Sequence, residues 1–190
     1  VYMFLRSDSG IENELKWDFD SREEKYLYLK NKKHVSLQGE TVKSNGEKYI
    51  ADFLFEHNID YSYERNLTQA KDFLYRPDFT ITYNDKKFVL EHWGIDEHDR
   101  TKSVPPYWSE TWDQYHDTMI RKRNLFRWVN SKQKEKGLPS ITLLETSIVD
   151  LRNGRAEFDK HLKKLLEANG IPCVKKDRAH LISSIQLNQT

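Results

Sequence analysis

The stretch that decides the fold is Arg76-Pro77-Asp78-Phe79-Thr80-Ile81-Thr82-Tyr83-Asn84-Asp85-Lys86-Lys87-Phe88-Val89-Leu90-Glu91-His92-Trp93-Gly94. Asn and Asp both tolerate positive φ, so Asn84-Asp85 predicts a two-residue hairpin turn. With Tyr83 facing Lys86, residues whose numbers sum to 169 oppose one another, and Asp78 faces Glu91. Opposed side chains on one face have Cβ atoms roughly 5 Å apart. Phe79, Ile81 and Tyr83 share a face with Phe88 and Leu90, whereas Thr80 and Thr82 share the other with Asp78. Such alternation marks a half-buried strand. Pro77 fits a strand start, where no ladder donor is needed. The pair reads in two ways. Either two solvated acids sit on an edge hairpin, or two like charges are held together by a cation, for which a divalent metal is the economical choice.

Working outward, Ser44-Asn45-Gly46-Glu47 is a capping box followed by Ile50, Phe53 and Leu54 on one face. It predicts a helix to about His57. Ile59–Arg65 alternates enough for a strand, and the hairpin covers about Leu74–Trp93. Gly94–Pro106 is a long connection with two consecutive prolines, the kind of loop that forms lids or binding surfaces. A helix is predicted at about Trp108–Asn130, broken by Lys136-Gly137-Leu138-Pro139. Ile141-Thr142-Leu143-Leu144 reads as a buried strand. A last helix spans about Ala156–Ala168, closed by Asn169-Gly170. Helix, three strands, helix, strand, helix makes a mixed α/β sandwich. Residues 1–40 are charge-rich, with a helix near Ser21–Lys33, and read as an extension ahead of a domain at 41–190.

Composition narrows the function classes. Hydrophobic residues make up 37% and charged residues 32%, yet 5 Trp, 10 Tyr and 9 Phe argue against disorder. A net charge of +1 gives no overall nucleic-acid signal. The charge is uneven, because Arg121–Lys136 holds seven basic residues and one acid, Glu135. This is either a solvated helix face or a binding strip. The single Cys173 excludes an internal disulfide and fits a reducing, cytoplasmic compartment. Nothing approaches the roughly 18 apolar residues of a membrane span. A first residue other than Met suggests a piece of something longer. No phosphate-cradling Gly-rich loop is present, so ATP hydrolysis is not expected.

Within the second helix, Trp112, Tyr115, Met119, Lys122 and Phe126 are spaced 3, 4, 3, 4 and share one face. Lys122 either snorkels to water or aims its ammonium at a polar pocket beside the acids. Glu47 either caps its own helix or stands as a third acid near the pair. His92, Asp96, Glu97, His98 and Asp99 lack the helical spacing of zinc hydrolases and read as a solvated loop. Cys173 reads as a small core residue.

Helix-borne Glu47, then Pro77-Asp78, then Glu91 at the end of the next strand resembles the PD-(D/E)xK nuclease superfamily, over about residues 42–185. Val42–Glu47, Tyr75–Phe79 and Glu91–Ile95 are most similar to nuclease domains attached to bacterial superfamily 1 helicases of the helicase IV and Rep-like kind. The resemblance implies a restriction-endonuclease-like αβββαβ core with a mixed central sheet flanked by helices. It implies Mg²⁺, with Mn²⁺ as substitute, on Asp78, Glu91 and the His92 backbone carbonyl, and a water or second ion on Glu47. The family places Lys two residues after the Glu, where this chain has Trp93. Loss of that lysine either ends activity or means that it has migrated to the following helix, where Lys122 is the natural substitute. Tyr115 then touches a phosphate or Glu91, or else simply packs. On that reading Arg121, Arg123 and Arg127 would contact DNA phosphates, residues 107–115 would stack on bases, and Glu145-Thr146-Ser147 would line the cleft. The implied activity is metal-dependent DNA hydrolysis leaving a 5′-phosphate, in a helicase-linked protein of DNA repair, recombination or defence. The alternatives are a catalytically inactive DNA-binding domain of the same fold and a protein-interaction module of a helicase.

Overall fold

The computed structural model describes residues 21, 24, 33–67, 75–101, 104 and 108–188. The helix expected near Ser21–Lys33 lies almost wholly outside them. The described elements run β1 (His34–Val35), β2 (Thr41–Val42), α1 (Asn45–Glu56), β3 (Tyr61–Tyr63), β4 (Phe79–Tyr83), β5 (Lys86–Trp93), α2 (Trp112–Glu135), β6 (Thr142–Ser147), α3 (Arg155–Ala168) and α4 (Arg178–Asn188), with a 3-10 turn at Ile148–Leu151.

The hairpin register follows from the turn. Asn84 and Asp85 have φ of 47° and 60°. Positive φ at both central residues gives the turn whose twist matches paired strands. Tyr83 therefore pairs with Lys86, Ile81 with Phe88 and Phe79 with Leu90. β3 adds antiparallel to β4, and β6 adds parallel to β5, giving the order β3-β4-β5-β6. A parallel neighbour needs a crossover, and α2 supplies it. The fold is thus mixed α/β around a mixed four-stranded sheet.

Both faces of the sheet are covered. Ile50, Phe53 and Leu54 of α1 and Phe158, Leu162 and Leu166 of α3 pack on Phe79, Ile81, Phe88, Leu90 and Leu144. Phe126 and Val129 of α2 pack with Val89, Tyr75 and Ile141 on the opposite face. Beside them, Met119 meets Trp93 and Ile95, with Trp108, Trp112 and Tyr115 at the edge. The acid-bearing face of the hairpin is therefore a second core with a polar gap, where alternation alone suggested an open polar surface. Phe88 through Trp93 are all buried, as expected of a strand covered on both sides.

Several boundaries differ from expectation. The β4-β5 ladder ends at Phe79 and Leu90, so Asp78 lies just ahead of β4 and is not a ladder partner of Glu91, and β6 runs on to Ser147 where a strand over Ile141–Leu144 was expected. α2 starts at Trp112, capped by Thr111, whose hydroxyl accepts from the Gln114 amide while the Gln114 side chain accepts from the Thr111 amide. It continues to Glu135, about a turn past Asn130, through exposed polar residues. Leu37, within the presumed extension, is 3% exposed and packs with Phe55 and Leu181. Its amide donates to Asp52 at 2.7 Å, so the β1-β2 hairpin is tied to α1.

Candidate active site

Asp78 sits one residue ahead of β4, fixed at both ends. Its carbonyl accepts from the Glu64 amide at 2.9 Å, and its Oδ2 accepts from the His92 amide at 2.8 Å. Glu91, in β5, is 1% exposed. Its Oε1 accepts from the Tyr75 hydroxyl at 3.0 Å. Lys122 reaches both acids from α2, with Nζ 2.7 Å from Glu91 Oε2 and 3.3 Å from Asp78 Oδ1. On α2, Lys122 shares a face with the buried Met119 and Phe126, and its ammonium spans the two acids. Of the two readings of Lys122, the structure places the inward one.

The electrostatics follow from that geometry. Burial, then the charge of Asp78, holds the Glu91 carboxyl well above the ordinary carboxylate range, against the pull of Lys122. Burial opposes the Lys122 charge, yet Asp78 and Glu91 together hold its amine above the usual lysine value. The site is one cation shared by two acids.

Glu47 is the third acid. Ser44 caps α1 by accepting from the Glu47 amide at 3.2 Å. The Glu47 carboxylate, however, takes the Lys43 amide at 3.1 Å, the Ser44 hydroxyl at 3.0 Å and the Tyr63 hydroxyl at 2.5 Å. Burial raises its proton affinity, and the charge of Asp78 adds to that rise. Glu47 and Asp78 thus sense one another across the α1–β4 junction. The His92 ring fills the space beside them. Its Nδ1 lies 2.9 Å from the Thr146 hydroxyl, and burial lowers its pKa to about 4, so it is neutral at pH 7. A Cβ on Gly46 would lie 2.0 Å from His92 Nε2, which explains a glycine in the first turn of α1.

The remaining candidates divide. Tyr115 both packs and bonds, its hydroxyl accepting from the Gly94 amide at 2.8 Å. Arg121 and Arg127 are exposed on α2, as a phosphate-binding role requires. Arg123 instead turns inward. Its guanidinium bonds Glu97 at 2.6 and 3.2 Å and Glu145 at 2.6 Å. Glu145, within β6 and in register with Glu91, also accepts from Trp93 Nε1 at 2.8 Å. Glu97, Arg123, Phe126, Arg127, Leu143 and Glu145 line an open cleft of about 390 Å³. The loop acids serve as ion-pair partners, Glu97 for Arg123 and Asp96 for Arg152. Cys173 is buried, and burial pushes its thiol up to about 11, as suits a core residue.

Sequence reasoning missed Tyr75 and the bracket around Trp93. Tyr75 precedes the strand and shares no periodicity with it. Trp93 lies in phase with Glu91 two residues earlier, and that phase was the available signal.

Among the described residues, no group of three or more His, Cys, Asp or Glu side chains is arranged to hold a metal. Two hard oxygen donors with a cation already between them nevertheless suit Mg²⁺ or Mn²⁺. Mg²⁺ is commonly held by one or two carboxylates, with water and phosphate completing its shell. Asp78 and Glu91 fit that donor set once the ammonium moves aside. No protein-family model, curated protein or solved structure matches this chain.

Proposed function

We propose that this chain is a metal-dependent nuclease domain acting on DNA, built on a restriction-endonuclease-like core and working beside a helicase. The observation that carries this reading is the Lys122 ammonium between Asp78 and Glu91. An ammonium and two carboxylates in one pocket suit a metal-ligating acid pair beside a cation that would offset charge in the transition state. Asp78 and Glu91 would hold Mg²⁺ or Mn²⁺, which when bound supplies Lewis-acid stabilisation of a phosphoryl oxygen and acidifies a coordinated water. The chain's own groups do the rest. The His92 amide and Tyr75 hydroxyl fix the orientation of the two acids. Lys122, shifted by a short distance, offsets negative charge developing on phosphorus, the largest kind of term in such reactions. Glu47 holds a water in place, and the exposed Arg121 and Arg127 meet backbone phosphates.

The test is cleavage of end-labelled single- and double-stranded DNA with Mg²⁺ or with EDTA. Cleavage should require metal and vanish in Asp78→Asn. Metal-independent cleavage, or none by a protein that binds DNA, rejects the catalytic reading. One observation favours a second reading, an inactive DNA-binding domain: Lys122 fills the gap between the acids, as a purely structural ion pair would. That reading expects salt-dependent DNA binding without cleavage.

A further inference from the structure

Two consecutive residues of α2 each bridge two carboxylates, and one indole stands between them. Lys122 takes Asp78 and Glu91, whereas Arg123 takes Glu97 and Glu145. Trp93 is 4% exposed. Its ring centroid lies 5.6 Å from Lys122 Nζ and 5.5 Å from the Arg123 guanidinium carbon. Both lie within cation–π range. Its Nε1–H donates to Glu145 at 2.8 Å, the acid that also accepts from Arg123.

We propose that Trp93 and Arg123 are positioning residues that hold the Lys122 ammonium on Asp78 and Glu91. The inference rests on the nuclease reading of that pocket. Lysine has a flexible four-carbon stem with a strongly hydrated head, so its reach is set by what surrounds it. Arg123 is a planar fork engaged by two acids, and its grip fixes how α2 turns against β5 and β6. The indole walls off one side of the Lys122 head and keeps it from swinging to Glu145. Side chains on successive helical residues diverge by about 100°, yet Lys122 and Arg123 end on Glu91 and Glu145, which are register partners on adjacent strands, and the indole lies within 5.6 Å of both heads. Trp93, bonded to Glu145 and facing both cations, sorts each cation to its own pair.

The test is acetylation of lysines by an amine-reactive ester in EDTA at pH 8, read by peptide mass spectrometry. Exposed Lys175 serves as the internal reference. Wild-type Lys122 should be protected. Trp93→Leu should raise its labelling about tenfold and Arg123→Gln about threefold, while Trp93→Phe, which keeps the ring face, should stay within about twofold. In a cleavage-competent protein, Trp93→Leu should also lower kcat with DNA affinity unchanged. Lys122 equally protected in Trp93→Leu and wild type overturns the proposal. Should Trp93→Leu fail to fold, unchanged labelling in Arg123→Gln overturns it instead. A wild type that never cuts DNA but shows the graded labelling would reject the nuclease reading and leave the bracket standing.

Discussion

Lys122→Met keeps most of the side chain's volume and deletes the charge. Two effects follow, one on stability and one on rate. Deleting one partner of a buried ion pair costs about 3–5 kcal/mol when the other charge has no escape. Here there is an escape, because Glu91 is already held above its ordinary pKa and takes up a proton readily. Lys122 also keeps 29% of its side chain exposed. The expected cost at pH 7 without metal is therefore about 2 kcal/mol, below that range. For a domain of this size, that is a fall in Tm of about 4–8 °C. Adding millimolar Mn²⁺ should recover much of it, since the ion replaces the lost cation between the acids. The rate effect is separate. Loss of one positioned electrostatic group lowers kcat about 10²-fold or more, and DNA affinity should hold, since one phosphate contact is a small share of a salt-dependent total. The assays are thermal unfolding with EDTA and with Mn²⁺, and single-turnover cleavage at saturating protein. A Lys122→Met protein that melts at the wild-type temperature and cuts at the wild-type rate would refute the reasoning.

Glu91→Gln should stabilise the metal-free protein more at pH 8 than at pH 5. The folded-state pKa of Glu91 is raised above its unfolded value, so the carboxyl lowers stability as pH rises past the unfolded value; thermal unfolding in EDTA at the two pH values checks the sign. Gly46→Ala should destabilise by about 1–3 kcal/mol, although Gly-to-Ala inside a helix usually stabilises by about 1 kcal/mol. The new methyl would strike the His92 ring, and urea unfolding decides between the signs. Tyr75→Phe strips a donor from the buried Glu91 carboxyl and should cost about 1–2 kcal/mol, with a smaller loss in a Glu91→Gln background, where a neutral amide oxygen replaces the acid as acceptor; a double-mutant cycle by urea unfolding measures this.

How much of this was legible depends on what kind of signal each part carries. The hairpin register was, because Asn84-Asp85 sets the turn and period 2 then fixes every pair down to Phe79 and Leu90. Lys122 was legible only as a question, because a charge on an apolar helical stripe must go inward or snorkel, and the fold decides which. The end of α2 was not, since its last turn buries nothing and periodicity has no purchase there. Nor was the cover over the acids. Val89 and Trp93 share parity with Glu91, so one polar residue made a strand buried on both sides look amphipathic. α4 escaped because its one described buried anchor, Leu181, gives no period. Arg123 looked like a DNA contact by composition, but Glu97 and Glu145 meet it from a loop and a strand distant in sequence.

The most direct measurement is a crystal of this domain soaked in millimolar Mn²⁺, with data collected for anomalous scattering. The expected result is one peak between the Asp78 and Glu91 carboxylates, with the Lys122 ammonium moved off its position 2.7 Å from Glu91. No peak at that position, with Lys122 still bridging both acids, would mean that the pair is an ion-pair staple and that the chain is not a metal-dependent nuclease.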